Sequence, residues 1–147
     1  MGTDPSTAPL KTVPLDSFHR HHGAKMVPFA GYVMPVQYKA GIMTEHTQTR
    51  TKAGLFDVSH MGQAWLHGKD AAKALERLVQ GLANGQCRYT MLTNEAGGII
   101  DDLIVTKWED KLFLVVNAAR KDVDLPLIAD GTKGDATLEI IDDHALL

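Results

Sequence analysis

Between Ser59 and Ile141 the apolar and polar positions mark out a run of short elements. Ile99 to Trp108 (IIDDLIVTKW) and Lys111 to Val116 (KLFLVV) read as strands joined by a tight hairpin at Glu109-Asp110. Ser59 to His67 (SHMGQAWLH) alternates less regularly and also reads as a strand, as do Arg88 to Leu92 and Ala136 to Ile141. Asp70 to Val79 (DAAKALERLV) carries Ala71, Ala74, Leu75, Leu78 and Val79 as an apolar stripe at helical spacing, with Asp70 placed to cap it. Lys121 to Asp130 predicts a second helix, interrupted at Pro126. The order strand, helix, three strands, helix, strand predicts an α+β fold, a ferredoxin-like antiparallel sheet with helices on one face.

The preceding segment is patterned differently. Pro14 to His22 has apolar residues at helical spacing and predicts a short helix that Gly23 stops. Met26 to Gly31 and Val33 to Tyr38 are apolar, but each contains a proline. That predicts extended edge segments or ordered loop rather than a central strand. Ile42 to Lys52 is polar and Thr-rich and predicts a helix with Gly54 in its C-cap region.

Composition narrows the class. A chain of 147 residues has room for one domain, or one and part of another. Its 44% hydrophobic and 22% charged residues are those of a globular protein. A formal net charge of −3 argues against a nucleic-acid partner. No apolar run approaches the ~18 residues of a membrane span. The lone Cys87 excludes an internal disulfide and a cysteine-only zinc site, and fits a reducing, cytoplasmic setting. Residues 1–9 (MGTDPSTAP) have the character of neither a secretory nor a transit peptide and are expected to be a disordered lead. The chain stops at His144-Ala145-Leu146-Leu147, just after an apolar strand pattern, from which it is expected to be a fragment.

Asn94-Glu95-Ala96-Gly97-Gly98-Ile99-Ile100-Asp101-Asp102 sets a glycine turn ahead of two adjacent carboxylates. Strand alternation puts Asp102 on one face with Ile100 and Ile104, and Asp101 on the other. A lone carboxylate on an apolar face should have a raised pKa and can serve as a general base or charge stabiliser. Alternatively, both acids cap a hairpin end in solvent. His19, His21 and His22 offer helical ligand spacing only as His19 with His22 and lack a third ligand, so no metal is expected. They read instead as a solvated helix end. Asp57, Ser59 and His60 are the residue types of a triad, but without a nucleophile elbow they read as a buried turn held by side-chain hydrogen bonds. Asn117, ending an apolar strand, can aim an amide at a heterocycle or simply cap the strand. Cys87 reads as a structural or exposed thiol, and Arg50 and Lys52 as solvated helix residues.

Four stretches, in this order, carry a resemblance: HHGAKMVPFAGYVMPVQY (His21 to Tyr38), GLFDVSHMGQ (Gly54 to Gln63), RYTMLTNEAGGIIDDLIV (Arg88 to Val105) and LVVNAAR (Leu114 to Arg120). Together they resemble the aminomethyltransferase, or T-protein, family of the glycine cleavage system and the wider folate-binding family around it. The resemblance implies that residues 10–53 form the N-terminal arm of a split first domain. Residues 54–142 would form the ferredoxin-like central domain, and residues 143–147 a truncated start of the return segment. It implies that Asp102 acts in catalysis on the folate, and that Met61, Tyr89, Ile104, Val115 and Asn117 line the folate pocket. The implied reaction moves an aminomethyl group from the lipoylated carrier protein (H-protein) to tetrahydrofolate as co-substrate. It gives 5,10-methylenetetrahydrofolate and ammonia, with no metal, nucleic acid or membrane involved. Family members are longer, and the segment from Leu78 to Tyr89 is shorter here than in the family. The alternative is a folate-binding module without transfer activity, like the family's assembly and repair factors. Their Lys-Gly-Cys-type motif has no match in this chain.

Overall fold

The computed structural model describes residues 9–76 and 83–147. The expected lead up to residue 8, the end of the expected helix at Leu78 and Val79, and Gly81 at the start of the short segment lie outside the described residues. The chain forms two units. One comprises the residues up to His60 together with His144–Leu147; the other is Met61–Asp143.

The first unit carries a three-stranded sheet and two helices. Its elements are β1 (Lys11–Thr12), α1 (Asp16–His21), β2 (Lys25–Phe29), β3 (Tyr32–Gln37) and α2 (Ile42–Thr51). α1 ends as expected at Gly23, whose φ of +75° suits the left-handed stop. β2 and β3 pair antiparallel about Ala30-Gly31, and the sheet order is β1-β3-β2. β3 is therefore central, against the expectation that both proline-containing segments lie at edges. The reason is local. β1 pairs only with Tyr32 and Val33, so the missing N–H of Pro35 falls beyond its reach, and the β2 register shifts beside the Met26–Pro35 pair. α2 keeps its threonines by returning their hydroxyls to the chain. Thr47, Thr49 and Thr51 donate to the carbonyls of Met43, Glu45 and Thr47. Gly54 does not cap this helix. It lies against it, where a Cβ would come within 2.5 Å of Thr49 Oγ1.

The second unit runs β4 (Gly62–His67), α3 (Ala71–Leu75), β5 (Cys87–Thr93), β6 (Ile99–Trp108), β7 (Lys111–Val116), α4 (Lys121–Gly131) and β8 (Thr137–Ile141). The sheet order is β5-β6-β7-β4-β8, antiparallel throughout. Leaving out β5, this is the ferredoxin-like βαββαβ arrangement; β5 adds an outer strand as a hairpin with β6. One face carries the core. Ala64, Leu66, Leu103, Val105, Leu112, Leu114 and Val116 of the sheet pack with Ala71 and Leu75 of α3 and Leu125 and Ile128 of α4. Burying each Leu, Ile or Val side chain of this core contributes ~1.5–3 kcal/mol. Both helices thus lie on one face, as the alternating pattern predicts.

Two local expectations are corrected. Asp70 sits at the N-cap position of α3, but its side chain makes no capping hydrogen bond. Pro126 lies inside α4 without ending it. A proline loses its own N–H bond and crowds the carbonyl four residues back, a cost that the burial of Leu125 and Ile128 against the sheet outweighs.

Candidate functional site

The site grows from the β5–β6 hairpin. Asn94 closes its turn by accepting at Oδ1 from the backbone N–H groups of Ala96 (3.0 Å) and Gly98 (2.8 Å), with Gly97 at φ +78°. At the mouth of this turn Leu92 pairs with Asp101 and Thr93 with Ile99, which leaves Ile100 as a bulged residue. The bulge changes one expectation: Ile100 packs against the core cluster rather than standing beside Asp102.

Beyond the bulge the ladder is regular. Met91 pairs with Asp102, Tyr89 with Ile104, and Ile104 with Val115. Paired residues share a face, and Leu103 and Val105 are buried in the core. Asp102, Ile104, Tyr89 and Val115 therefore lie together on the face opposite the helices. Tyr89 is 69% exposed and Ile104 37%. The Asp102 carboxyl beside the Tyr89 hydroxyl is the main reason the phenol is held above its ordinary pKa. Asn117 follows the end of β7 and turns its amide to β6. Its Nδ2 donates to Oδ1 of Asp101 at 3.1 Å and to the Asp102 carbonyl at 3.2 Å. Met61, half-buried, immediately precedes β4.

The carboxyl that the protein removes from water is not Asp102. Asp101, on the core side of β6, meets Asp124 of α4, which is fully buried. Burial first, then the Asp101 carboxyl, push Asp124 up to about 7. Burial also pushes Asp101 up, but hydrogen bonds from the Asp102 backbone and Asn117, with the neighbouring Asp124 and the Arg120 charge, outweigh it and hold Asp101 below its ordinary value. Arg120 Nε lies 3.7 Å from Oδ2 of Asp101, and its Nη2 donates to the Ile100 carbonyl at 3.4 Å. Sequence reasoning missed Asp124 and Arg120. The signal for Asp124 was present: it stands four residues before Ile128, on the apolar stripe of α4.

The first unit holds a separate network. His19 is 3% exposed, not a solvated helix end. Its Nδ1 lies 2.7 Å from the Tyr38 hydroxyl and its Nε2 2.6 Å from Oδ2 of Asp57. Oδ1 of Asp57 accepts from the Ser59 backbone N–H at 2.8 Å and from the Ser59 hydroxyl, so the Asp57–Ser59 turn is held by side-chain hydrogen bonds. Burial raises Asp57, but the hydrogen bonds from Ser59 and His19 outweigh it and lower its pKa. Ser59 gives its proton to the carboxylate rather than to a histidine, which is the wrong direction for a nucleophile. Tyr38, Thr49, Phe56 and Asp57 line a cavity of about 610 Å³ beside this network. His21, His22, Arg50, Lys52 and Cys87 are exposed.

Among the described residues no three His, Cys, Asp or Glu side chains are grouped to hold a metal. Among them, too, no helix is long and apolar enough to cross a membrane.

Comparison with known proteins gives a consistent result. The family model for the GCVT N-terminal domain matches residues 15–147. A mitochondrial aminomethyltransferase from Dictyostelium discoideum is 44% identical over 154 aligned positions, covering 97% of this chain and 38% of that protein. An aminomethyltransferase from Clostridium botulinum (strain ATCC 19397 / Type A) is 49% identical over 138 positions, covering 90% and 37%. The crystal structure of glycine cleavage system aminomethyltransferase T from Bartonella henselae matches with a TM-score of 0.83 at 38% identity, over 90% of this chain and 38% of that one. The chain thus spans just over a third of the length of these relatives. A match over this length, in sequence and in fold, makes the chain a member of the aminomethyltransferase family that carries the GCVT N-terminal domain.

Proposed function

We propose that this chain supplies the folate-facing sheet of a tetrahydrofolate-dependent aminomethyltransferase of the glycine cleavage system. One observation carries the reading: a carboxylate, Asp102, an exposed aromatic, Tyr89, and two aliphatic side chains, Ile104 and Val115, share one sheet face in adjacent register. A reduced pterin needs such a surface. Its flat ring stacks on an aromatic and aliphatic floor, and its N–H groups need an acceptor. Asn117 at the strand end and Met61 before β4 complete the set that we assign to the folate.

In this reading Asp102 accepts a proton from a folate nitrogen as that nitrogen attacks the aminomethyl carbon, and stabilises the positive charge that develops. The methylene carbon passes from the lipoyl sulfur of the carrier H-protein to the folate. Ammonia leaves, the dithiol is regenerated, and 5,10-methylenetetrahydrofolate is formed. Holding the two reactants in one cavity supplies much of the acceleration. The reaction uses no metal, and we assign it to the cytoplasm, where an exposed thiol such as Cys87 stays reduced.

A thermal melt of the 147-residue chain with and without tetrahydrofolate tests the binding part directly. Ligand at a hundredfold excess over its dissociation constant adds about 2.7 kcal/mol of stability to a chain that binds it only when folded. A cooperative melt that moves upward supports the reading. A cooperative melt that tetrahydrofolate leaves in place removes folate binding from this part of the family fold.

A further inference from the structure

The reaction proposed above makes no use of Asp124, although it is the most completely buried carboxyl near Asp102. Neither of its oxygens has a hydrogen-bond donor among the described residues, and neither does Oδ2 of Asp101. Two ionised carboxylates cannot share such a place, because each lacks water and repels the other. A proton retained on Asp124 removes the repulsion and supplies one O–H to the facing carboxylate. The remaining contacts run outward from Asp101. Its Oδ1 takes the Asn117 amide, which also reaches the Asp102 carbonyl; Arg120 sits beside its Oδ2 and reaches the Ile100 carbonyl. The carbonyls on either side of Asp101 are thus both held by groups that Asp101 holds.

We propose that Asp124 is a positioning residue for Asp102: as a neutral acid it donates to the Asp101 carboxylate, and the Asp101–Asn117–Arg120 set so anchored fixes the backbone that aims Asp102 from the opposite face of β6. Its importance for folate rests on the function proposed above; the mechanical coupling does not. The charged groups that face Asp124 are Asp101 from β6 and Arg120 from the turn before α4, and the field of Asp102 reaches it from the far face of β6. The other elements packed on α4, namely α3, β7 and β8, bring Leu75, Leu114, Val116 and Leu138 to the surrounding core. Asp124 titrates at about 7, so the lock loosens around neutrality.

The test uses the 147-residue chain, its Asp124→Asn variant, which keeps a neutral donor of the same shape, and Asp124→Leu, which does not. Infrared difference spectra across neutral pH should show a protonated carboxylic acid in the wild type, absent from Asp124→Asn. Carbon-13 resonances of Asp102 should step near neutral pH in the wild type and stay level in Asp124→Asn. Tetrahydrofolate affinity should survive within about twofold in Asp124→Asn and fall about tenfold or more in Asp124→Leu. Should the leucine variant fail to fold, the wild-type step and its loss in Asp124→Asn still decide the matter. No protonated acid, or an Asp102 indifferent to it, overturns the proposal. An Asp102 that responds in a chain blind to tetrahydrofolate overturns only the folate reading. Folate binding with an unresponsive Asp102 overturns only the positioning role.

Discussion

His19 Nε2 lies 2.6 Å from Oδ2 of Asp57, across 38 residues of chain, with both side chains almost wholly shielded from water. The pair ties α1 to the segment that leaves α2, and Tyr38 and Ser59 satisfy its remaining polar atoms. Breaking one partner strands the other in a low-dielectric site. Asp57→Ala should therefore cost about 3–5 kcal/mol in urea unfolding. Adding His19→Ala should cost much less than it does alone, because the partner is already gone. Additive costs would mean that the two residues are not coupled.

Asp124 makes stability depend on pH in a direction opposite to an ordinary ion pair. Its folded pKa, about 7, lies above the ordinary 3.8, so the native state keeps a proton that the unfolded chain releases. Its contribution is complete below 3.8 and is lost as pH rises to about 7. At about 1.4 kcal/mol per pH unit the loss is about 4 kcal/mol. Asp124→Asn cannot ionise, so its stability relative to wild type should climb over that interval, read from urea midpoints at successive pH values. A difference flat with pH would mean that Asp124 is ionised in the folded chain.

Asp102 faces away from the core, so its removal should not unfold the protein. Asp102→Asn should melt within about 1 kcal/mol of wild type. If Asp102 accepts from the folate, the variant should bind tetrahydrofolate about tenfold more weakly, which trims about 1.4 kcal/mol from the ligand's stabilisation. An unchanged shift would leave Asp102 outside the binding surface.

Asn117 is the amide shared by Asp101 and the Asp102 carbonyl. Asn117→Ala leaves two acceptors without that donor and should destabilise the chain by about 1–3 kcal/mol. Amide hydrogen exchange should show the loss concentrated at the turn end of β6. A uniform effect along the sheet would argue against a local anchor.

Gly62 opens β4 where a Cβ would fall 2.5 Å from Val116 Cγ2 and 3.1 Å from Lys121 Cγ. Val116 is fully buried and cannot yield. Gly62→Ala should cost about 1–3 kcal/mol by overpacking. A neutral substitution, measured by urea unfolding, would show that β4 can move away from β7 at that point.

Local pattern carried most of the second unit. Ile99–Trp108 and Lys111–Val116 begin and end where period-two alternation and the Glu109-Asp110 hairpin place them, because side-chain alternation is a property of the strand itself. The same alternation separated Asp101 from Asp102 correctly. It failed one residue earlier, at Ile100, because a bulge is set by the partner strand's register and not by the strand's own pattern. Pro126 misled for a related reason. The proline carries its local cost wherever it stands, but the packing of Leu125 and Ile128 that outweighs it belongs to the sheet.

By itself the sequence determined the order of elements in the second unit, the class of fold, the family motifs and, Ile100 apart, the face of β6 on which each residue lies. All of these follow from spacing along the backbone. Tertiary structure alone decided which carboxyl lost its water. Asp101, Asp102 and Asp124 are the same residue type, and solvation depends on what the other elements bring near: the sheet core against Asp124 of α4, Asn117 and Arg120 around Asp101, and the open face of the sheet at Asp102. It also decided that His19 is a buried partner of Asp57 and not a solvated helix end. Burial is a long-range property, fixed by contacts across tens of residues, and spacing along α4 marks Asp124 only as a candidate for it.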